Sequence, residues 1–363
     1  MYSSEGSNLP GNPTVPLTAL QCSDVRLETL RPILSDEPIS VLLITASQGV
    51  HVGTLGVLRP QVGGDVLTGI HILLTLKCTS ECDHCFLHCG PSREATFTLG
   101  QLRTLIRQIE ELETVNIVYF EGGEPFLFYP LLLEGLHMVR AAGFEAGIVT
   151  NGYWATSVED GLHWLRPIRD LGIVDFSVSD DEFHRLDKND RRAEFARQAA
   201  QQLGIPTATI CIEPPSVSLQ AAEGRRGKPV VGGGVLFKGR AAEKLTAGLP
   251  VRPREELTTC PHEDLLSPER VHVDADGNVH LCQGLSMGNI WETPLPDLVR
   301  GYDAQKHPIA GPLLRGGPIR LATEHGLAMN DSYVDECHLC YTARKLLLPC
   351  FPRYLAPKEA YGL

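Results

Sequence analysis

The sequence predicts an α/β protein, a barrel or partial barrel followed by a small cysteine-rich α+β extension and preceded by a strand-containing N-terminal extension. Three observations carry this. From about residue 68, short apolar runs alternate with amphipathic stretches, the pattern of βα units. About six units follow one another, which implies a parallel sheet. Polar residues gather at or just past the strand ends, where a β/α barrel builds its active site.

The first strand is "IHILLTLK", and "LGQLRTLIRQIEELE" is its helix, with Leu102, Leu105, Ile106, Ile109 and Leu112 on one face. Thr98 and Gln101 offer a capping box at its start. "VNIVYF" and "LLLEGLHMVRAAG" form the second unit, closed by Gly143. "EAGIVT" and "EDGLHWLRPIRDLG" form the third, with Pro167 as a kink or break. "VDFSVS" and "RRAEFARQAAQQLG" form the fourth, and "TATICIE" and "KPVVGGGVLF" read as the fifth and sixth strands. Cys78–Cys85, Glu121–Glu124, Asn151, Ser177–Asp181 and Glu213 then lie at strand ends. Past about residue 250 the pattern changes. "VHVDADGNVHLC" reads as a hairpin about Asp276-Gly277, and "DECHLCYTARKLLL" as a helix. The expected division is 1–66 for the N-terminal extension, its first part disordered, 67–250 for the barrel and 251–363 for the cysteine-rich extension. "ISVLLITAS" and "HVGTLGVL" supply strands to the first of these.

The chain has 363 residues and a net charge of −12, which argues against a nucleic-acid partner. "GRRGK" (Gly224–Lys228) reads as a solvated loop. The N-terminus lacks the basic and apolar regions of a secretory signal, and no apolar run reaches membrane-spanning length. The expected compartment is cytoplasmic, with no membrane partner. Thiols stay reduced there, so eleven cysteines imply metal rather than a disulfide framework.

Nine of the eleven fall in two regions, Cys78–Cys89 and Cys260–Cys350. In "KCTSECDHCFLHCG", Cys78, Cys82 and Cys85 stand at C-x3-C-x2-C. Three thiolates on one loop can bind three irons of a cubane cluster and leave the fourth open to a small molecule. The loop alone also admits a closed site completed by Cys89, or plain buried thiols. "EGGEP" (Glu121–Pro125) follows the second strand, where two glycines allow close approach of a ligand and Glu124 can bind an ammonium group.

With these motifs in this order, the sequence resembles the radical S-adenosylmethionine (radical SAM) superfamily over roughly residues 68–240. The resemblance implies a partial (β/α)6 TIM-like barrel and a [4Fe-4S] cluster held by Cys78, Cys82 and Cys85. It implies that SAM chelates the unique iron, with Glu124 and the Gly122–Gly123 backbone on its amine. Ribose contacts would come from Ser177 or Ser179, with Asn151 as a further candidate. His84 takes the place of the aromatic residue that packs near the adenine in the family. The implied reaction is reductive cleavage of SAM to a 5′-deoxyadenosyl radical that abstracts hydrogen from substrate. A donor such as flavodoxin or ferredoxin supplies the electron. Cys89 and His88 have no assigned part, and Cys89 reads as packing.

The second set, Cys260, Cys282, Cys337 and Cys340, resembles the twitch or SPASM extensions of the same superfamily and implies an auxiliary [4Fe-4S] cluster, with Cys350 as replacement for Cys260. Zinc satisfies four thiolates equally well. Cys22 and Cys211 read as core or linker residues. Such extensions are common in peptide maturases, so a peptide or protein substrate is the first expectation. A small molecule (sugar, nucleoside or cofactor precursor) is the second, and an inactive metal-binding protein the third. Asp180, Asp181 and His184 read as capping groups or substrate contacts, and Arg240 as a partner for a carboxylate.

Overall fold

The computed structural model describes residues 67–219 and 229–363. The N-terminal expectations, Cys22 and the "GRRGK" loop lie outside the described residues.

Four βα units follow the predicted order: β1 (Gly69–Thr75), α1 (Leu99–Glu110), β2 (Ile117–Gly122), α2 (Tyr129–Ala141), β3 (Glu145–Thr150), α3 (Val158–Arg169), β4 (Asp175–Ser179) and α4 (Arg192–Gln202), then β5 (Thr207–Ile210). The capping box at α1 is present: the Thr98 hydroxyl accepts from the Gln101 N–H, and the Gln101 side chain accepts from the Thr98 N–H. Leu102, Leu105, Ile106 and Ile109 are buried as the periodicity requires. α3 runs through Pro167 to Arg169 rather than breaking at the proline. Alternation along β2 sorts its side chains. Phe120 packs against Leu102 and Gly135 of the helix layer, while Tyr119 and Glu121 face the barrel lumen with His71.

The sixth strand is not the predicted one. Pro229–Gly232 (β7) pairs antiparallel with Ser216–Leu219 (β6) in a separate two-stranded sheet. Part of the stretch between β5 and β7 forms β6, which takes β7 as its own partner. The sixth parallel position is filled from the other side, by Arg270–Asp274 (β9) against β1. The large sheet runs β11-β10-β9-β1-β2-β3-β4-β5, in which Asn278–Cys282 (β10) and Leu285–Asn289 (β11) are antiparallel additions. The result is a partial TIM-like barrel with six parallel strands. The predicted hairpin is thus part of the barrel sheet.

Short α5 (Arg240–Lys244) leads into the C-terminal region, where Arg252–Pro253 (β8) pairs with Ser332–Tyr333 (β12). α6 (Leu295–Gly301), α7 (Ala310–Glu324, kinked at Gly316 and Gly317) and α8 (Glu336–Leu347) complete it. Asp335 caps α8 by accepting the His338 N–H, which sets Cys337 and Cys340 on its first turn and a half.

Candidate active site

The loop after β1 is pinned at its base by Cys78 N–H to Gly90 O (3.1 Å) and turned by Cys85 N–H to Cys82 O (3.0 Å). Cys78, Cys82, Cys85 and Cys89 all line one cavity at the barrel mouth, with Gly122, Gly123, Thr150, Asn151, Ser179, His184 and Gly234. A mononuclear tetrahedral centre holds its sulfurs about 3.8 Å apart, from metal–sulfur bonds of about 2.3 Å. Among the described residues, no group of three ligand atoms that includes a cysteine sulfur lies within 4.8 Å. In any three of these thiols at least one separation therefore exceeds 4.8 Å. Burial pushes Cys78 up to about 12, so its thiol keeps its proton until a metal displaces it. Cys85 moves the other way, chiefly because the Cys89 thiol donates a hydrogen bond to it.

Two residues that the sequence left unread or misread hold this loop. The Arg240 guanidinium donates to Cys82 O (2.6 Å) and to Cys89 O, and its backbone N–H donates to Cys85 O (2.9 Å). It clamps the loop, and among the described residues it forms no ion pair with a carboxylate. Gly239 (φ +59°) makes that approach possible, since a Cβ there would lie 2.4 Å from Phe86 Cα. His88, at φ +53°, is buried and hydrogen-bonds through Nε2 to Tyr341 Oη (3.1 Å), tying the loop to α8.

The glycines of "EGGEP" sit under the loop: a Cβ on Gly122 would lie 2.3 Å from Thr75 O, and one on Gly123 2.2 Å from Lys77 O. Glu124 does not line the cavity. It is fully buried, and its carboxylate accepts from Thr150 Oγ1 (2.8 Å), Asn151 N–H (2.7 Å) and Phe126 N–H (3.1 Å). Burial pushes this carboxyl up to about 7 against the pull of those three donors. With its oxygens so engaged, Glu124 positions Asn151, whose Nδ2 lies 3.0 Å from Thr79 Oγ1 and 3.6 Å from Cys78 Sγ.

The two serine candidates part company. Ser179 lines the cavity, whereas Ser177 donates to Asp175 within the lumen. Asp181 is both a cap and an orienting group: it accepts the N–H groups of Phe183 and Ile212 and holds His184 Nδ1 at 2.7 Å. Burial alone lowers His184, but its bonds to Asp181 and to Cys82 outweigh this and raise it to about 10. His84 packs on Phe183 (centroids 4.5 Å) and edge-on to His184 (5.1 Å); burial lowers it to about 4, so it is neutral.

About a second, smaller cavity the fold gathers Cys260, Cys282, Cys337 and Cys340. Cys350 is not among its lining residues. Two buried cations face it. Lys238 Nζ lies 3.4 Å from Cys282 Sγ and 2.6 Å from Gln283 Oε1, and Arg344 is 1% exposed with its Nε unpaired. Nothing in the cysteine spacing pointed to either.

Comparison with known proteins matches residues 72–212 to the sequence model of the Radical SAM superfamily. The peptide biosynthesis protein YydG of Bacillus subtilis (strain 168) is 25% identical over 115 residues, 32% of this chain and 36% of that protein. The S-adenosylmethionine-dependent nucleotide dehydratase of Selenomonas ruminantium is 30% identical over 83 residues, 23% of this chain and 29% of that one. The chain thus spans about a third of the length of these curated relatives. Among solved structures, BtrN in complex with AdoMet and 2-DOIA aligns at TM-score 0.43 and 18% identity, covering 64% of this chain and 82% of that one. Native anSMEcpe with bound AdoMet and Cp18Cys peptide aligns at 0.42 and 14%, covering 79% and 97%.

Proposed function

Because residues 72–212 belong to the radical SAM superfamily, we propose that this chain cleaves S-adenosylmethionine reductively at a [4Fe-4S] cluster held by Cys78, Cys82 and Cys85. The observation that carries the reading is the shared cavity: the three thiols face the same space as Gly122, Gly123, Asn151 and Ser179. When bound, the cluster would supply one electron to the sulfonium, whose S–C5′ bond would break to give methionine and a 5′-deoxyadenosyl radical able to take hydrogen from substrate.

The chain's own residues position and enclose. The Gly122–Gly123 backbone offers the methionyl amine a surface without side chains. Asn151, held by Glu124, and Ser179 meet the polar parts of SAM, and Ser177 drops out of that role because it faces Asp175. His184 steadies the Cys82 sulfur from the loop after the fourth strand. Chelation and these contacts fix the reacting bond before the electron arrives, which replaces a diffusive encounter by a positioned one.

Cys260, Cys282, Cys337 and Cys340 are assigned to an auxiliary [4Fe-4S] cluster in a functional unit spanning 251–363, distinct in role from the 67–250 core although its hairpin extends the core sheet. Four thiolates about one cavity suit a closed cluster and zinc alike, and the iron and sulfide count of the purified chain decides between them. Lys238 and Arg344 offset the negative charge of four thiolates. Similarity to YydG, named a peptide biosynthesis protein, supports a peptide or protein substrate. Similarity to the nucleotide dehydratase supports the second reading, a small-molecule substrate. A low-potential donor of the flavodoxin or ferredoxin class is the expected partner. Among the described residues no helix is long and apolar enough to cross a membrane.

Anaerobically reconstituted chain given SAM and a strong reductant tests the activity. Release of 5′-deoxyadenosine, abolished by Cys82→Ala, supports it; wild-type protein that carries iron and releases none overturns it.

A further inference from the structure

Below the cavity, in the barrel lumen, three ligand-type side chains from neighbouring strands meet. The β1–β9 register sets His71 directly opposite His272, and the β1–β2 register sets Glu121 opposite Leu73, two residues along. All three side chains point to the same face of the sheet. Glu121 Oε2 lies 3.4 Å from His71 Nδ1, and Oε1 lies 3.1 Å from His272 Nε2. The three ligand atoms all fall within 4.8 Å of one another. A single divalent ion at about 2.0–2.2 Å from imidazole nitrogen and carboxylate oxygen sets neighbouring ligands about 3.0–3.5 Å apart. Both separations fall in that range, one from each oxygen of the Glu121 carboxylate.

Three further observations point to a ligand rather than to a closed polar knot. Among the described residues, buried His71 Nδ1 has no hydrogen bond of good geometry, and its nearest acceptor is Glu121 Oε2 at 3.4 Å. The His71 ring is held by stacking on Tyr119 (centroids 4.7 Å, 17° between planes), and Tyr119 Oη is itself anchored to Asp175 (3.0 Å), so the ring orientation is fixed from outside the triad. Glu121 and Leu73 also line the large cavity, so the triad opens toward the space where the reaction is placed. The neighbouring His280 cannot join, because its Nε2 pairs with Asp274 and its Nδ1 accepts the Gly284 N–H.

We propose that His71, His272 and Glu121 bind one divalent transition-metal ion in the barrel lumen, with its remaining positions turned toward the cavity to take a carbonyl or carboxylate oxygen of the substrate. Two imidazoles and one carboxylate suit zinc, iron(II), cobalt(II) or manganese(II), and none of these needs a thiolate. The site uses no cysteine and stands independently of the cluster assignment.

Zinc is the probe. The full chain, with its thiol sites loaded with iron and sulfide under anaerobic conditions, is dialysed against Zn²⁺ and freed of excess. Metals are then counted by mass spectrometry, and the zinc environment is read by X-ray absorption at the zinc edge. The expected result is about one tightly held zinc per chain with nitrogen and oxygen neighbours and imidazole outer-shell scattering. His71→Gln and His272→Gln each remove it while leaving the iron count unchanged. If either histidine variant fails to fold, Glu121→Gln, which keeps the shape, weakens zinc at least about tenfold through loss of the anionic ligand. Zinc absent from wild type, bound through sulfur, or bound equally by wild type and the variants overturns the proposal.

Discussion

Arg240→Met is the most informative single substitution. It leaves α5 and the backbone bond to Cys85 in place and removes two charge-assisted hydrogen bonds, to the carbonyls of Cys82 and Cys89. Hydrogen bonds to a charged group contribute about 1.5–3 kcal/mol each, and these are only part-buried, so the lower figure applies to each. Their loss lowers the cost of opening the cysteine loop by about 3 kcal/mol, which is about a hundredfold in the population of the open loop. Iron–sulfur bonds strain both proteins alike and cancel in the ratio. Iron from the first site should therefore pass to a strong chelator about a hundredfold faster in Arg240→Met than in wild type. Iron from the second site should leave at the wild-type rate. Arg240→Lys, which can reach one carbonyl, should fall between, at about tenfold. Chelation followed by the colour of the released iron's complex resolves the two phases. Wild-type kinetics in the methionine variant, or acceleration of both phases together, would refute the clamp.

Other consequences follow from single contacts. Gly123→Ala forces a methyl to within 2.2 Å of Lys77 O, so the loop must shift, and the variant should lose SAM affinity by tenfold or more in equilibrium dialysis while far-UV circular dichroism is unchanged. Lys238→Met removes a buried cation 3.4 Å from Cys282 Sγ, which should lower the potential of the second centre by on the order of 100 mV in a redox titration and leave the first unmoved. His307 is buried neutral: Nδ1 accepts from Ile309 and Ala310 N–H, Nε2 donates to Ser286 O, and burial lowers it from 6.5 to about 4. The unfolded chain binds this proton first as pH falls, so stability should drop between pH 6.5 and 4, by at most about 3 kcal/mol. Denaturant midpoints at several pH values should show a fall over that window, and His307→Gln should reduce it by His307's share, leaving the part due to His84, which burial lowers in the same way.

What could be read from the sequence was what covalent spacing fixes. C-x3-C-x2-C and "EGGEP" are local, and the strand before each and the helix after each follow from periodicity and capping, so the cavity's floor and its three thiols were visible. The rest depended on contacts between distant segments. That β9 would lie beside β1 is a pairing across about two hundred residues, and with it came the meeting of His272 with His71. Arg240 binds carbonyls, which leave no trace in residue type, and Glu124 spends its charge inward on Thr150, Asn151 and Phe126. Ser177 and Ser179 share one face of β4, and only the depth of each along the strand separates lumen from mouth. The missed sixth strand has the plainest cause. Apolar content in "KPVVGGGVLF" suggested a strand, and a strand formed, but the stretch before it supplied its own partner, Ser216–Leu219, so a hairpin formed in place of a crossover.

The central claim is that the first loop holds a cluster with one iron free for SAM, and electron paramagnetic resonance tests it directly. The full chain, reduced under anaerobic conditions, is recorded with and without SAM. Two overlapping cluster signals are expected, of which one shifts on adding SAM and the other does not, and the responsive signal is missing from Cys82→Ala. A spectrum that SAM leaves unchanged, in protein shown by equilibrium dialysis to have bound it, would contradict the account.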